Sequence, residues 1–167
     1  MIRQATMKDV EAISAMLPAI VGQMNAAGNF QWNDKYPLAG DFVRDVEVGS
    51  LYVFEDSDGT VGGFVCVDFN EPKEYGAAKW SQIDRAMVVH RMAVSVNHRG
   101  LGIAKAFMSF ADQLALSKDV YYLKTDTNAV NEKMQGLFAS CGYVAVGDIK
   151  LEGKDGDFRC FEKVIEA

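Results

Sequence analysis

The sequence predicts an α/β fold: a mixed, mostly antiparallel central sheet flanked by helices. Three observations predict it. Apolar residues recur with strand and helix periods in the order β-α-α-β-β-β-α-β-α-β-β. Two turn signals, EDSDGT and GKDGD, sit between strand-like runs and mark antiparallel hairpins. One βαβ passage lies mid-chain around a glycine-bearing loop. A doubly wound dinucleotide fold is disfavoured, because the N-terminal part lacks GxGxxG and only the central section repeats βα units.

In chain order, residues 2–5 form a short edge strand. Thr6 and Asp9 make a capping-box pattern with Asp in the place of Glu. Val10, Ile13, Met16, Leu17 and Ile20 then give one apolar face of a helix running to about Ala27. Pro18 is expected to kink or divide it. The segment NFQWNDKYPL fits neither period. Its Trp32, Asn33, Asp34 and Tyr36 suit a substrate-binding wall or lid, or equally a loop pinned to the core by two aromatics. Pro37 begins a second helix carried by Phe42, Val43, Val46 and Val48 and stopped at Gly49. Residues 51–54 and 61–68 form the first hairpin, and 69–82 a long polar connection. Residues 83–96 read as a strand interrupted by Asp84, Arg85, His90 and Arg91. Ile103, Phe107, Phe110 and Leu114 mark a helix. Residues 120–124 are a buried strand ending in a cap-rich turn, TDTNAVN. Val130, Met134, Leu137 and Phe138 face one side of the last helix, which Cys141-Gly142 stops. Residues 143–149 and 158–164 form the closing hairpin. Without linker or repeat, residues 1–167 read as a single domain.

The totals narrow the function. With 49% apolar and 24% charged residues the chain is globular rather than disordered. A net charge of −6 argues against nucleic acid or an anionic membrane as the main partner, and makes the basic cluster His98, Arg99 and Lys105 informative. Cys66, Cys141 and Cys160 are widely separated with no CxxC, so reduced thiols in a cytoplasmic protein are expected. The N-terminus lacks an apolar signal core, and no run reaches membrane-spanning length. With two histidines, no metal site is expected.

The stretch from Arg91 to Asp112 carries the chemistry. A strand, a glycine-bearing loop and a helix start make a place for an anionic group, since helix-start N–H groups lack intrahelical partners and the dipole favours negative charge. Gly100 and Gly102 permit close approach of the backbone, and Arg99 and Lys105 add positive charge. At this level an ordinary βα connection explains the glycines as well. RGLGIA, residues 99–104, resembles the acyl-CoA-binding signature of the GNAT superfamily of N-acetyltransferases, Arg/Gln-x-x-Gly-x-Gly/Ala. Arg99, Gly102 and Ala104 match it, after the strand MAVSVNH. A second segment, NAVNEKMQGLFASCGY, resembles that superfamily's N-x-x-A/M-x-x-L-Y-x-x-x-G-F at Asn131, Met134, Leu137, Gly142 and Tyr143. The resemblance spans essentially the whole chain.

This resemblance implies a GNAT-like acyl-CoA N-acyltransferase fold using acetyl-CoA. The backbone of Arg99, Gly100, Leu101, Gly102, Ile103 and Ala104 would cradle the cofactor's pyrophosphate, with Lys105 in support. The pantetheine arm would pair with the fourth strand near Met92, Val94 and Val96. Asn131 would contact that arm, or serve only as a helix cap. The partner would be a small-molecule or peptide amine. It would be acetylated by direct attack in a ternary complex, which needs no enzyme nucleophile. A CoA-binding domain with a structural or regulatory role is the alternative. The superfamily's usual glutamate base and tyrosine acid fall on Val88 and Phe138, which transfer no proton. His90 shares strand parity with Val88, Met92 and Val94, and an imidazole titrates near neutrality. It is therefore a base candidate or a satisfied structural histidine, with Asp84 less favoured. For the acid, Tyr143, Tyr121, Tyr122 or water remain open. Cys160 lines the acceptor side or is simply buried. The sheet edges are compatible with a homodimer.

Overall fold

The computed structural model describes residues 1–166. Its elements are β1 (Ile2–Gln4), α1 (Met7–Ala26), α2 (Ala39–Glu47), β2 (Leu51–Glu55), β3 (Val61–Asp68), β4 (Met87–Val94), α3 (Ile103–Leu116), β5 (Tyr122–Asn128), α4 (Glu132–Ser140), β6 (Val144–Ile149) and β7 (Phe158–Val164). This is the expected order. The strands form a seven-stranded sheet in the order β1-β2-β3-β4-β5-β7-β6. Strands β4 and β5 pair in parallel, while β1–β2, β2–β3, β5–β7 and β6–β7 pair antiparallel, so the sheet is mixed as expected. Among the described residues no helix is long and apolar enough to cross a membrane.

The chain divides into two compact units. One comprises Met1–Val67 with Arg91–Phe107, the other Asp68–His90 with the chain from Met108 on. The core of the first is Ile13, Leu17 and Ile20 of α1, Phe42 of α2, Leu51 and Val53 of β2, and Phe64 and Cys66 of β3. Phe42 meets Phe64 edge-on at 5.0 Å between centroids. Tyr75, Val88, Ile149, Phe158 and Cys160 form a core cluster of the second.

Helix α1 begins as its sequence prescribes. The Asp9 carboxylate accepts from the Thr6 N–H at 2.7 Å and the Thr6 hydroxyl at 3.1 Å. It also takes two hydrogen bonds from the Arg3 guanidinium, at 2.8 and 2.9 Å. The Arg3 hydrogen bonds hold the Asp9 carboxyl below the ordinary carboxylate range, against a burial that pushes it up. Its contribution to stability is thus complete above the unfolded value of about 3.9 and is lost as pH falls through the lower folded value. Asp9→Asn should flatten that part of the acid limb in thermal melts run from neutral pH downward, and cost about 1 kcal/mol at neutral pH. A variant with the wild-type acid limb would remove Asp9 from the account.

Four expectations need correction. Pro18 sits inside a continuous α1 and does not divide it. It is exposed, while Ile13, Leu17 and Ile20 on the opposite face are buried and hold both halves to one core. The fourth strand starts at Met87 rather than residue 83, and Ile83, apolar but fully exposed, lies outside any ladder. It also stops at Val94, so Val96 opens a 3-10 turn, Val96–His98. The fifth strand runs on to Asn128, because β7 pairs with it residue by residue from Tyr122↔Val164 to Asn128↔Phe158. The supposed TDTN turn is therefore strand. Within the long polar connection, Lys73–Ala77 forms a 3-10 turn.

Candidate functional site

In the first unit the glycine loop leaves the Val96–His98 turn and enters α3. Gly100 and Gly102 have φ of 79° and 77°, the left-handed region that favours glycine. A Cβ added to either would meet nothing within 4 Å, so that side of the loop opens onto free space. The Gly102 carbonyl accepts from Ala106 N–H at 3.0 Å, which starts the helical ladder there. The N–H groups of the first turn therefore precede that ladder and suit an anion. Ile103 is buried and anchors the turn, while Leu101, Gly102 and Lys105 are exposed. Arg99 is exposed and donates to Gln23 Oε1 at 2.6 Å. His98 seats the loop. Its Nε2 hydrogen-bonds Asp56 at 2.9 Å, and its ring fills the space where a Gly62 Cβ would lie, 2.7 Å away. Met92, Val94 and Val96 are half-buried.

Residues 29–38 belong to the same unit and form a loop with a bridge between Asn33 and Tyr36. Trp32 is 5% exposed and stacks on Phe64 at 6.1 Å, in the core. The Asn33 carboxamide closes the turn by accepting from the N–H groups of Lys35 and Tyr36, and Asp34 is exposed. Tyr36 is tied to β4: its hydroxyl accepts from Arg91 Nη1 at 2.8 Å. The rest of the Arg91 guanidinium grips Asp45 of α2, with Nη2 2.6 Å from Oδ1 and Nε 3.0 Å from Oδ2. Sequence reasoning missed this pair. The available signal was faint: Asp45 stands one turn after the apolar Phe42 and beside Val46, on the side of α2 that carries the apolar residues.

In the second unit, β4, β5 and β7 share a face on which Lys124, Asp126 and Glu162 stand among buried Val88 and Cys160. Val88 pairs with Lys124 and Lys124 with Glu162. His90, on the parity of Val88, hydrogen-bonds Asp68 Oδ1 through Nε2 at 2.8 Å. Burial pushes the Asp68 carboxyl up, but the hydrogen bond and charge of His90 outweigh it and leave it below its ordinary range. Lys124 is 6% exposed, paired with Glu71 at 2.6 Å, and 4.5 Å from the Trp80 ring centre. Glu162 accepts from the Tyr122 hydroxyl and from Ser81 N–H. Asp126 accepts from the Tyr75 hydroxyl at 2.5 Å. Cys160 is buried opposite Asp126, and burial pushes its thiol up to about 12. Asp84 is exposed, outside β4.

The other expected site residues of this unit occupy structural surroundings. Tyr143 is 3% exposed and packs on Phe138 at 5.9 Å, and its hydroxyl has no hydrogen-bond partner. Burial raises its pKa, so it holds its proton more tightly than an ordinary phenol. Asn131 caps α4: its Oδ1 accepts from Met134 N–H at 3.1 Å and its Nδ2 donates to Thr127 Oγ1 at 3.2 Å. Val88 and Phe138 are both buried. No group of three or more His, Cys, Asp or Glu is placed to hold a metal among the described residues.

A family model described as an acetyltransferase (GNAT) domain matches residues 47–145. A streptothricin acetyltransferase from Escherichia coli is 34% identical over 64 residues, which is 38% of this chain and 36% of that protein. The match thus spans about a third of the curated relative's length. A GNAT-family acetyltransferase structure from Streptococcus agalactiae aligns with a TM-score of 0.85 at 25% identity, covering 100% of this chain and 96% of its own. The Salmonella typhimurium yncA structure, solved with its cofactor acetyl-CoA, aligns with a TM-score of 0.72 at 16% identity over 99% of this chain and 94% of its own, a likeness of fold.

Proposed function

Because this chain belongs to the GNAT family of acetyltransferases, which use acetyl-CoA, we propose that it is an N-acetyltransferase acting on the primary amine of a small molecule, amino acid or peptide terminus. The whole chain, residues 1–167, serves as one GNAT-like domain. The observation that carries the reading is the loop before α3, where two positive-φ glycines sit at a helix start with open space on the side a Cβ would occupy. That arrangement fits a pyrophosphate. Arg99, Gly100, Leu101, Gly102, Ile103, Ala104 and Lys105 hold it, Arg99 and Lys105 by charge alone. The backbone of Met92, Val94 and Val96 holds the cofactor arm, while Asn131 is left to capping α4. Acetyl-CoA, when bound, supplies an activated acyl group as a thioester.

The remaining work falls to the protein's own side chains. With its Nε2–H donated to Asp68, His90 keeps a lone pair on Nδ1 that can take the amine's proton, and Asp68 stabilises the imidazolium formed. Tyr143 is left to packing, since its unpartnered hydroxyl lies in the core. In the 29–38 loop the exposed Asp34 is left to meet an acceptor, since Asn33 closes the turn, Tyr36 is held by Arg91 and Trp32 fixes the loop's base. The 64-residue likeness to a protein named as a streptothricin acetyltransferase supports acetyl transfer as the reaction. The test is acetyl-CoA consumption across a panel of primary amines, with CoA binding measured in parallel. Turnover of at least one amine is expected. CoA binding without turnover would leave only a CoA-binding domain, and absence of CoA binding would sink the reading altogether.

A further inference from the structure

We infer that Asp126, steadied by Tyr75, is the carboxylate that receives the acceptor's ammonium group, which makes the acceptor a cationic primary amine and not an alcohol or thiol. The inference rests on the acetyl-transfer reading above. It starts from the register of the second unit. Strand β4 pairs with β5 over Met87↔Leu123, Val88↔Lys124 and Val89↔Thr125. One step further come His90 and Asp126. Each is two residues beyond the Val88–Lys124 pair, so both side chains leave the same sheet face. Strand β5 continues to Asn128, fixed on its other side by β7, where Asp126 pairs with Cys160. The Asp126 backbone is therefore held rigidly at the place where the β4–β5 ladder ends.

The side chain is held as well. Tyr75 is 1% exposed, and its hydroxyl donates to Asp126 Oδ2 at 2.5 Å. Its ring lies against Trp80 at 5.0 Å, and Trp80 Nε1 donates to the Tyr75 carbonyl at 2.7 Å, which fixes the turn carrying the phenol. The hydrogen-bond donor to Asp126 is a neutral phenol, unlike the cations that bind Asp45, Glu71 and Asp112. Burial holds the Asp126 carboxyl above its ordinary range, and the Tyr75 hydrogen bond and the nearby charges of His90 and Lys154 offset that only in part. The geometry is a carboxyl group fixed in position with an imidazole as its strand neighbour.

The proton balance gives the pair its use. An acceptor arriving as R–NH3⁺ loses two protons before it is an amide. The N–C bond to the acetyl carbon forms and the C–S bond breaks. One of the two protons ends on the departing sulfur and the other in solvent. Asp126 accepts a hydrogen bond from the ammonium and orients it. The His90 imidazole takes the first proton, which frees the nitrogen lone pair. A neutral hydroxyl or thiol gains nothing from this charge.

Asp126→Asn separates structure from chemistry, because an asparagine oxygen still accepts from Tyr75 while the charge is gone. Wild type, Asp126→Asn and Tyr75→Phe are compared for kcat and KM with amines and the matching alcohols, acetyl-CoA affinity by calorimetry, and Tm. Asp126→Asn should lose about 100-fold in kcat/KM for amines with acetyl-CoA affinity within about twofold of wild type. Tyr75→Phe, acting as a positioning change, should lose about 10-fold, mostly in the amine KM. Wild-type kcat/KM in Asp126→Asn overturns the inference and leaves the acetyltransferase reading standing. If that variant does not fold, unchanged kinetics in Tyr75→Phe overturn it. A wild type that binds acetyl-CoA yet acetylates no amine overturns both.

Discussion

Gly102→Val should weaken acetyl-CoA binding by about 100-fold, or about 2.7 kcal/mol, while the protein still folds. The residue sits at φ 77° with nothing within 4 Å of a built Cβ. A valine there meets no packing obstacle inside the protein. Its cost in the folded chain is the left-handed backbone, about 1–2 kcal/mol for a β-branched residue. The larger effect is on the ligand. Two methyl groups would stand in the open space beside the loop, and relief of the strain would re-aim its N–H groups. Gly102→Ala should fall between valine and wild type. Calorimetric titration with acetyl-CoA and with CoA, alongside Tm, separates affinity from stability. An unchanged affinity would take the pyrophosphate away from this loop.

That site was legible because its signal is local. Arg99, Gly100, Gly102 and the apolar positions Ile103 and Phe107 lie within one turn and one helix start, where positive φ, backbone access and burial are written in consecutive residues. The β2–β3 hairpin and the α1 cap were readable for the same reason. The polar pairs were not. Tyr75 and Asp126 are 51 positions apart, Lys124 and Glu71 are 53, and Arg91 and Asp45 are 46. Each half reads alone as an ordinary tyrosine or charge until the sheet brings it to its partner. The strand ends failed similarly. Thr125 to Asn128 look like a turn because Asp and Asn favour turns, yet a ladder to β7 satisfies their backbone groups. Ile83 looks like strand because it is apolar, but it pairs with nothing and stands in solvent. Trp32 shows the reverse case, a residue in a polar loop that folds inward onto Phe64. Hydrophobicity alone does not decide which of two such residues is covered.

Asp45→Ala should cost about 3 kcal/mol and lower Tm by about 6–12 °C in a domain of this size. The Asp45 side chain is 9% exposed and that of Arg91 19%, and three hydrogen bonds of 2.6 to 3.0 Å join them. A buried pair gains little over an apolar one, since both ions give up water to form it. Removing one partner is different: the guanidinium keeps its charge, loses its counter-ion and retains Tyr36 as its hydrogen-bond acceptor. Glu152→Ala provides the contrast. Its pair with Lys73 is shorter, at 2.5 Å, but the two side chains are 77% and 76% exposed. Screening and side-chain entropy should hold that change within about 0.5 kcal/mol. Urea unfolding of both variants measures the difference. Equal effects would mean that water reaches Arg91 in the folded state. The Arg91–Tyr36 bond adds a functional arm, since Tyr36 belongs to the 29–38 loop that we assign to the acceptor. Asp45→Ala should therefore also raise the amine KM, whereas Glu152→Ala should leave it unchanged. A change confined to stability would make Arg91 a structural clamp and free the loop from the acceptor assignment.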